Sequence, residues 1–116
     1  MIACLNMKQY IIDELRLEDH AKIKAFFDEH FDKSGMGEIY WVPLDKGLFT
    51  DVQIKHVECH PFYFAVVLKP ESVAFEMLVR TKNSIGCDCM AYATVTQREW
   101  LIRFADSIFE QLEIII

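Results

Sequence analysis

The clearest pattern in this chain is an alternation of apolar and other residues through three consecutive segments of its second half. Segments 62–68, 73–81 and 85–93 carry apolar side chains at every second position, the period of a strand with one buried face. A proline-containing turn at 69–72 and a short loop at 82–84 separate them. The pattern predicts an antiparallel three-stranded meander.

The two connections also predict the register of this meander, because opposed residues of paired strands lie on the same face. The pairs are Leu68 with Val73, Phe62 with Val79, Val79 with Cys87, and Met77 with Cys89. This register makes one face apolar across all three strands. The other face is mixed.

Two segments have the helical period. Residues 18–32 place apolar side chains three and four positions apart. Residues 96–112 begin with capping-box spacing from Thr96 to Glu99. The apolar stripe of this last helix comprises Leu101, Phe104, Ala105, Ile108 and Leu112, with Trp100 on one flank and Ile102 and Phe109 on the other.

The remaining elements are shorter. Segments 9–15 and 38–42 favour strands, and they could form a parallel crossover around the first helix. Capping-box spacing from Thr50 to Gln53 predicts a short helix. The fold class is therefore α+β: a four- or five-stranded sheet ending in an antiparallel meander, with two main helices packed mostly on one face.

Length and charge exclude several classes. The 116 residues suffice for one domain spanning 1–116, with residues 1–6 expected as a loose N-terminal extension. The net charge is −6 and the basic residues are scattered, which argues against nucleic acid and anionic membrane surfaces as partners. No apolar run approaches the roughly 20 residues of a membrane span.

Four cysteines are the first candidates for chemistry. No secretory signal pattern precedes them, so we expect a reducing, cytoplasmic location with free thiols. Cys87 and Cys89 would point to the same face of a strand, where paired thiolates can bind metal or exchange disulfides. The favoured interpretation is that both are small, buried core residues.

Cys59 and His60 could complete a metal site with this pair. The predicted register places them two strand spacings away, about 9.6 Å, and further along the strands. Ligands of one zinc ion stand closer than that. We therefore predict no metal and no cofactor, and no catalytic residue is assigned.

The mixed face of the meander is the candidate recognition surface. Tyrosine and arginine are enriched where proteins bind partners. The residues predicted there are Tyr63, Glu76, Leu78, Arg80, Asp88, Met90 and Tyr92. An ordinary solvated face with an Arg80–Asp88 ion pair is the alternative.

A homodimer is also predicted. The apolar arc of the last helix is wider than one stripe, and three isoleucines stand at positions 114–116. Leaving such side chains in water forfeits about 1.5–3 kcal/mol each. The expected interface residues are Ile102, Phe109, Ile114, Ile115 and Ile116.

Three classes of function remain open. The first is a small interaction or structural module, acting as a homodimer. The second is a small-molecule-binding domain or enzyme using the sheet face with Glu76, Arg80, Asp88 and Tyr92. The third is a thiol or metal protein acting through Cys87 and Cys89.

Overall fold

The structure, a computed structural model, describes residues 8–35, 37–81 and 90–115. Within these ranges it contains an antiparallel sheet in the order β1–β5–β4–β3–β2, with β6 paired to the start of β4. The strands are β1 Gln9–Ile12, β2 Asp32–Lys33, β3 Ile39–Pro43, β4 Phe62–Lys69, β5 Ser72–Glu76 and β6 Arg80–Thr81.

Three helices accompany the sheet in the described ranges: α1 Leu17–His30, α2 Asp51–Lys55 and α3 Val95–Gln111. Short 3₁₀ turns cover Lys46–Leu48 and Val57–Cys59. This arrangement confirms the predicted α+β class and a sheet whose successive strands are antiparallel.

Both long helices pack on the same sheet face. The ring of Phe27, from α1, lies 5.2 Å from Tyr40 and 6.4 Å from Phe75. The ring of Phe109, from α3, lies 6.1 Å from Phe75. Tyr40 and Phe75 both oppose Val66, so they project from one face, which is the core. The expectation that the helices share a face is confirmed.

The position of β1 was not foreseen correctly. β1 lies at the edge of the sheet, antiparallel to β5, with Tyr10 opposite Phe75. Two strands separate β1 from β3, and the two run in opposite directions. The parallel crossover suggested by the sequence is therefore wrong. Pairing between residues this far apart in the chain leaves no mark on local periodicity.

The register of β4 with β5 agrees with the sequence at the turn and then changes. Leu68 faces Val73 as predicted, but Phe62 faces Thr81 rather than Val79. Two residues of β4, at 64–65, therefore lie opposite the four residues 76–79. The shift is even, so Met77 and Val79 still face the core and are fully buried.

Of the third strand of the predicted meander, only residues 90–93 are described, and they form no regular strand. In the described part of segment 85–93, Leu78 forms an isolated bridge with Tyr92, and Val79 donates a hydrogen bond to the carbonyl of Ala91. The predicted partner of Val79 was Cys87, four residues earlier. β1 occupies the place beside β5 that this strand was expected to take.

The capping of α3 also differs from the prediction. The Thr94 side chain accepts a hydrogen bond from the Gln97 backbone, and the Gln97 side-chain oxygen accepts one from the Thr94 backbone, so the helix begins at Val95. Glu99, the predicted capping residue, is exposed. The other predicted box, Thr50 with Gln53, is confirmed.

The wide apolar arc of α3 is covered largely from within the chain. Phe109 is 1% exposed and Ile114 is 6% exposed, and both belong to the core cluster. The sequence predicted both at a dimer interface, but within the single chain they are buried and leave almost no surface for a partner to contact. Phe109 packs on Phe75 of β5, and β1 adds a further strand beside β5, so the sheet extends beneath this flank of the helix. Ile102 is half-buried and Ile115 is 91% exposed.

Candidate functional site

The sheet face opposite the helices is open and mixed in character. It carries Tyr63, Ala65 and Val67 from β4 and Trp41 from β3, in positions that alternate with the buried core residues. The indole of Trp41 meets the ring of Tyr63 edge-on, with 6.3 Å between centroids. This face is where the sequence predicted a recognition surface.

The register change in the middle of the sheet brings two charged residues together. Residues four apart in a regular strand have Cα atoms about 13 Å apart. Glu76 and Arg80 flank the irregular stretch 76–79, and Arg80 Nη2 lies 3.1 Å from Glu76 Oε1. Bulges commonly redirect side chains in this way. The predicted partner of Arg80, Asp88, lies outside the described residues.

A cleft of about 310 Å³ opens beside this ion pair. Two segments bond to the same edge of the sheet at Met77. The Met77 N–H donates a hydrogen bond to the carbonyl of Lys8, and the Met77 carbonyl accepts one from the N–H of Ala93. The gap between the two segments is the cleft. Its lining residues are Lys8, Gln9, Glu76, Leu78, Arg80 and Tyr92.

The charges around this cleft favour a negative ligand. Lys8 and Arg80 supply two cations against the single carboxylate of Glu76. Lys8 Nζ stands 5.8 Å from the centre of the Tyr92 ring, within cation–π range. The described lining therefore carries one excess positive charge, in a chain whose net charge is −6.

Arg80 retains donor capacity in this arrangement. Its Nε atom is buried and has no hydrogen-bond partner among the described residues. A buried donor left without an acceptor costs about 1–3 kcal/mol, and such atoms often mark the place of a water or an ion. Glu76 engages Nη2 alone. A hydrogen-bond acceptor placed beside this guanidinium could accept a hydrogen bond from Nε.

A second concavity, of about 250 Å³, lies on the other side of the ion pair. Arg80 and Glu76 line it as well, and so connect the two. Its other lining residues are Ser34, Ile39, Trp41, Ala65 and Val67, which are mostly apolar.

The structure brings together four of the seven predicted surface residues: Glu76, Leu78, Arg80 and Tyr92 line the first cleft. Tyr63 lies opposite Arg80 in the β4–β6 pairing, on the same face. Met90 packs instead against the core, contrary to the prediction, because the strand expected to orient it reduces to an isolated bridge in the described part of the chain.

Sequence reasoning missed Lys8, Gln9 and Trp41. Lys8 and Gln9 enter the cleft only because β1 pairs with β5, which local periodicity does not reveal. Trp41 had a usable signal. It alternates with Tyr40 and Val42, both buried, so it had to face away from the core.

The proposed thiol and metal residues are only partly described. Cys59 is buried. The His60 ring nitrogen Nε2 lies 2.6 Å from the carbonyl of Gln53. In residues 8–35, 37–81 and 90–115, no three His, Cys, Asp or Glu side chains gather as a metal-binding group. Cys87 and Cys89 lie outside these ranges.

One further cluster of charges lies on the helix side of the sheet. The buried Tyr40 hydroxyl shares its one proton between Asp28, at 2.5 Å, and Glu38, at 3.1 Å, and Lys24 bridges the same two carboxylates. Burial, followed by these hydrogen bonds, raises the pKa of Tyr40 well above its usual value. The hydrogen bond from Tyr40 is the main cause that lowers the pKa of Asp28. These groups satisfy one another, which is typical of a structural network.

Comparison of the chain with protein-family models, with curated proteins and with solved structures yields no match. Among the helices of the described residues, none combines the length and apolar character needed to cross a bilayer.

Proposed function

We propose that this protein binds a small anionic molecule in the cleft beside Arg80. The observation that carries the proposal is the buried Arg80 Nε atom, which has no acceptor among the described residues and belongs to a side chain that lines the cleft. This function was the second of the three classes that the sequence left open. It now ranks first because the cleft unites four of the predicted residues.

The chemistry of the cleft fits an oxyanion. Guanidinium presents several N–H donors in a planar fork that matches a carboxylate or phosphate, and Lys8 adds a mobile point charge. Tyr92 and Leu78 offer apolar contact beside these charges, as in most small-molecule sites. Glu76 holds one edge of the guanidinium in place.

The test is a titration of the folded protein with acetate and, separately, with inorganic phosphate. Nuclear magnetic resonance of the arginine Nε–Hε groups reports the site directly. We expect the Arg80 signal to shift and saturate, and the Arg103 signal, from an exposed position on α3, to stay constant.

Two variants sharpen this test. Arg80→Gln should abolish saturable anion binding. Lys8→Gln should weaken the binding about tenfold or less, because Lys8 is exposed and water screens its charge. Arg103→Gln is the matched control, because it removes the same charge away from the cleft. Identical anion binding by the wild type and Arg80→Gln would refute the proposal.

The interaction module remains a second candidate, and a specific surface favours it. Ile11, which is 47% exposed, and Ile115, which is 91% exposed, line the same concavity beside β1. Among the described residues β1 pairs with β5 alone, so its outer edge offers unpaired backbone groups. We propose that two copies pair here, β1 against β1, around a two-fold axis.

Light scattering tests this candidate. The wild type should have twice the chain mass of 13.6 kDa. Ile11→Lys, which places a charge at the edge, should give a monomer, while Val57→Ser, at a site 68% exposed on another surface, should leave the dimer intact. A wild type that is monomeric at micromolar concentration contradicts the dimer.

A further inference from the structure

We infer that the ligand of the Arg80 cleft is an organic monocarboxylate with a flat apolar tail, whose carboxylate binds Arg80 and whose tail lies against Trp41. This inference rests on the proposed function and extends it to the class of ligand. It follows from the second concavity, which the anion proposal does not use.

The two concavities form one continuous surface on either side of a shared ion pair. Arg80 and Glu76 line both of them, and among the described residues they alone do so. A molecule that reaches the guanidinium in the first cleft therefore stands at the border of the second. With volumes of about 310 and 250 Å³, the two together fall within the roughly 300–1,000 Å³ of small-molecule sites.

One concavity is mostly polar and the other mostly apolar, which matches the charged head and the apolar tail of such an acid. The first cleft holds Lys8, Gln9 and Tyr92 around the guanidinium. The second holds Ile39, Val67 and the indole of Trp41. A charged head and an apolar tail would each find a matching environment.

The shape of the second concavity favours a flat tail. Ala65 lies opposite Trp41 on β3 and carries only a methyl group, which leaves room beside the indole. The half-buried indole of Trp41 provides an aromatic wall against which a ring can stack or meet edge-on. A ring system therefore gains more contact here than a branched chain.

The charge balance argues for a single carboxylate. The described lining of the first cleft has two cations and one anion, and Glu76 stands beside the guanidinium. One negative charge neutralises the excess. A second negative charge on the ligand would face Glu76 at short range, which is unfavourable in a partly dehydrated site.

The experiment compares three probes that separate head from tail: acetate, 2-naphthoate and uncharged 2-naphthamide. The protein has two tryptophans, which lie on opposite faces of the sheet. Trp41 lines the second concavity, whereas Trp100 stacks on Phe104 and Phe64 on the helix side. The indole N–H resonances thus provide a reporter and an internal control in one spectrum.

We expect 2-naphthoate to shift the signals of both Arg80 and Trp41, to leave Trp100 unchanged, and to bind at least about tenfold more tightly than acetate. The neutral 2-naphthamide should bind at least about tenfold more weakly than 2-naphthoate, since it has no carboxylate to pair with the guanidinium.

Two variants test the tail position. Trp41→Leu should weaken the binding of 2-naphthoate about tenfold and leave the binding of acetate unchanged. Ala65→Leu should have the same selective effect by filling the concavity. Ala65 is buried, so the larger side chain of Ala65→Leu could disturb the fold. The Ala65→Leu result is used when the spectrum of the rest of the protein is unchanged; when it is not, Trp41→Leu alone decides the test.

The outcomes distinguish this inference from the proposal on which it rests. If acetate shifts Arg80 but 2-naphthoate binds no tighter, the anion site stands and the apolar tail is wrong. If 2-naphthoate shifts Trp41 equally in Arg80→Gln, the contact is apolar adsorption and the inference is overturned. If none of the probes shifts Arg80, both ideas fail.

Discussion

At the scale of single residues, Tyr10 joins the edge of the sheet to the last helix. Its ring lies 6.3 Å from Phe75 in the core, and its hydroxyl donates a 2.8 Å hydrogen bond to Asp106 Oδ1 on α3. Burial and then the hydrogen bond to Asp106 raise the pKa of Tyr10 to about 12. The neutral phenol is therefore favoured by folding.

This shift predicts a pH dependence of stability. In the unfolded chain the pKa of Tyr10 is near the ordinary tyrosine value of 10.0, while in the folded chain it is raised to about 12. Its contribution to stability is thus complete below pH 10 and is lost as the pH rises towards 12. Urea unfolding of the wild type and Tyr10→Phe should show a wild-type advantage that is constant below pH 10 and declines above it. A pH-independent difference would contradict the assignment.

At the scale of elements, the two capping boxes are linked to each other. The Gln97 side chain donates to the side-chain oxygen of Gln53 at 3.0 Å and to the carbonyl of Leu48 at 2.8 Å. Both glutamines are buried, with 2% and 1% exposure for Gln53 and Gln97. The starts of α2 and α3 are therefore joined by amides that each also cap their own helix.

Removing this link should destabilise the protein measurably. We expect Gln97→Ala to cost about 1–3 kcal/mol, because it leaves buried partners unsatisfied. Glu99→Ala, in the same helix turn but exposed, should stay within about 0.5 kcal/mol. A double-mutant cycle of Gln53→Ala and Gln97→Ala should give a coupling energy of about 0.5 kcal/mol or more in urea unfolding. If Gln97→Ala and Glu99→Ala lowered the free energy of unfolding equally, the assignment of Gln97 rather than Glu99 as the capping residue would be contradicted.

The packing of α3 makes a second prediction at this scale. Phe109 is buried against Phe75, whereas Phe104 is only partly buried. Phe109→Ala should therefore cost about 3–5 kcal/mol, and Phe104→Ala clearly less. Thermal and urea unfolding of the two variants will decide. A larger cost at Phe104 would show that the exposed and buried flanks of the helix are exchanged.

At the scale of the whole molecule, the two faces of the sheet differ in what covers them. The long helices and the apolar sheet face form the core. The other face is free of these helices and carries both concavities around Arg80. A ligand bound there adds to stability without entering the core, since binding to the folded state alone shifts the unfolding equilibrium.

This separation predicts a thermal shift. At 100 times its dissociation constant, 2-naphthoate should stabilise the wild type by about 2.7 kcal/mol, which corresponds to several degrees in melting temperature for a domain of this size. Arg80→Gln should melt near the unliganded wild type and show no shift. Equal shifts in both proteins would indicate binding elsewhere.

The sequence by itself determined the local elements and the faces of the central strands. Alternation identified the buried side of β4 and β5, and the proline-containing turn set the pairing of Leu68 with Val73. Capping-box spacing located Thr50 with Gln53. These features depend on neighbours in the chain, so periodicity and turn chemistry suffice to predict them.

Tertiary structure alone decided where β1 lies, how the register changes at 76–79, and what covers α3. Each depends on contacts between distant residues, such as Tyr10 with Phe75, whose side chains would be equally apolar in several other arrangements. The candidate site inherits this limit. Glu76 and Arg80 were visible as polar positions on one face, but their pairing needed the bulge, and Lys8 reached the cleft only because β1 completes the edge of the sheet.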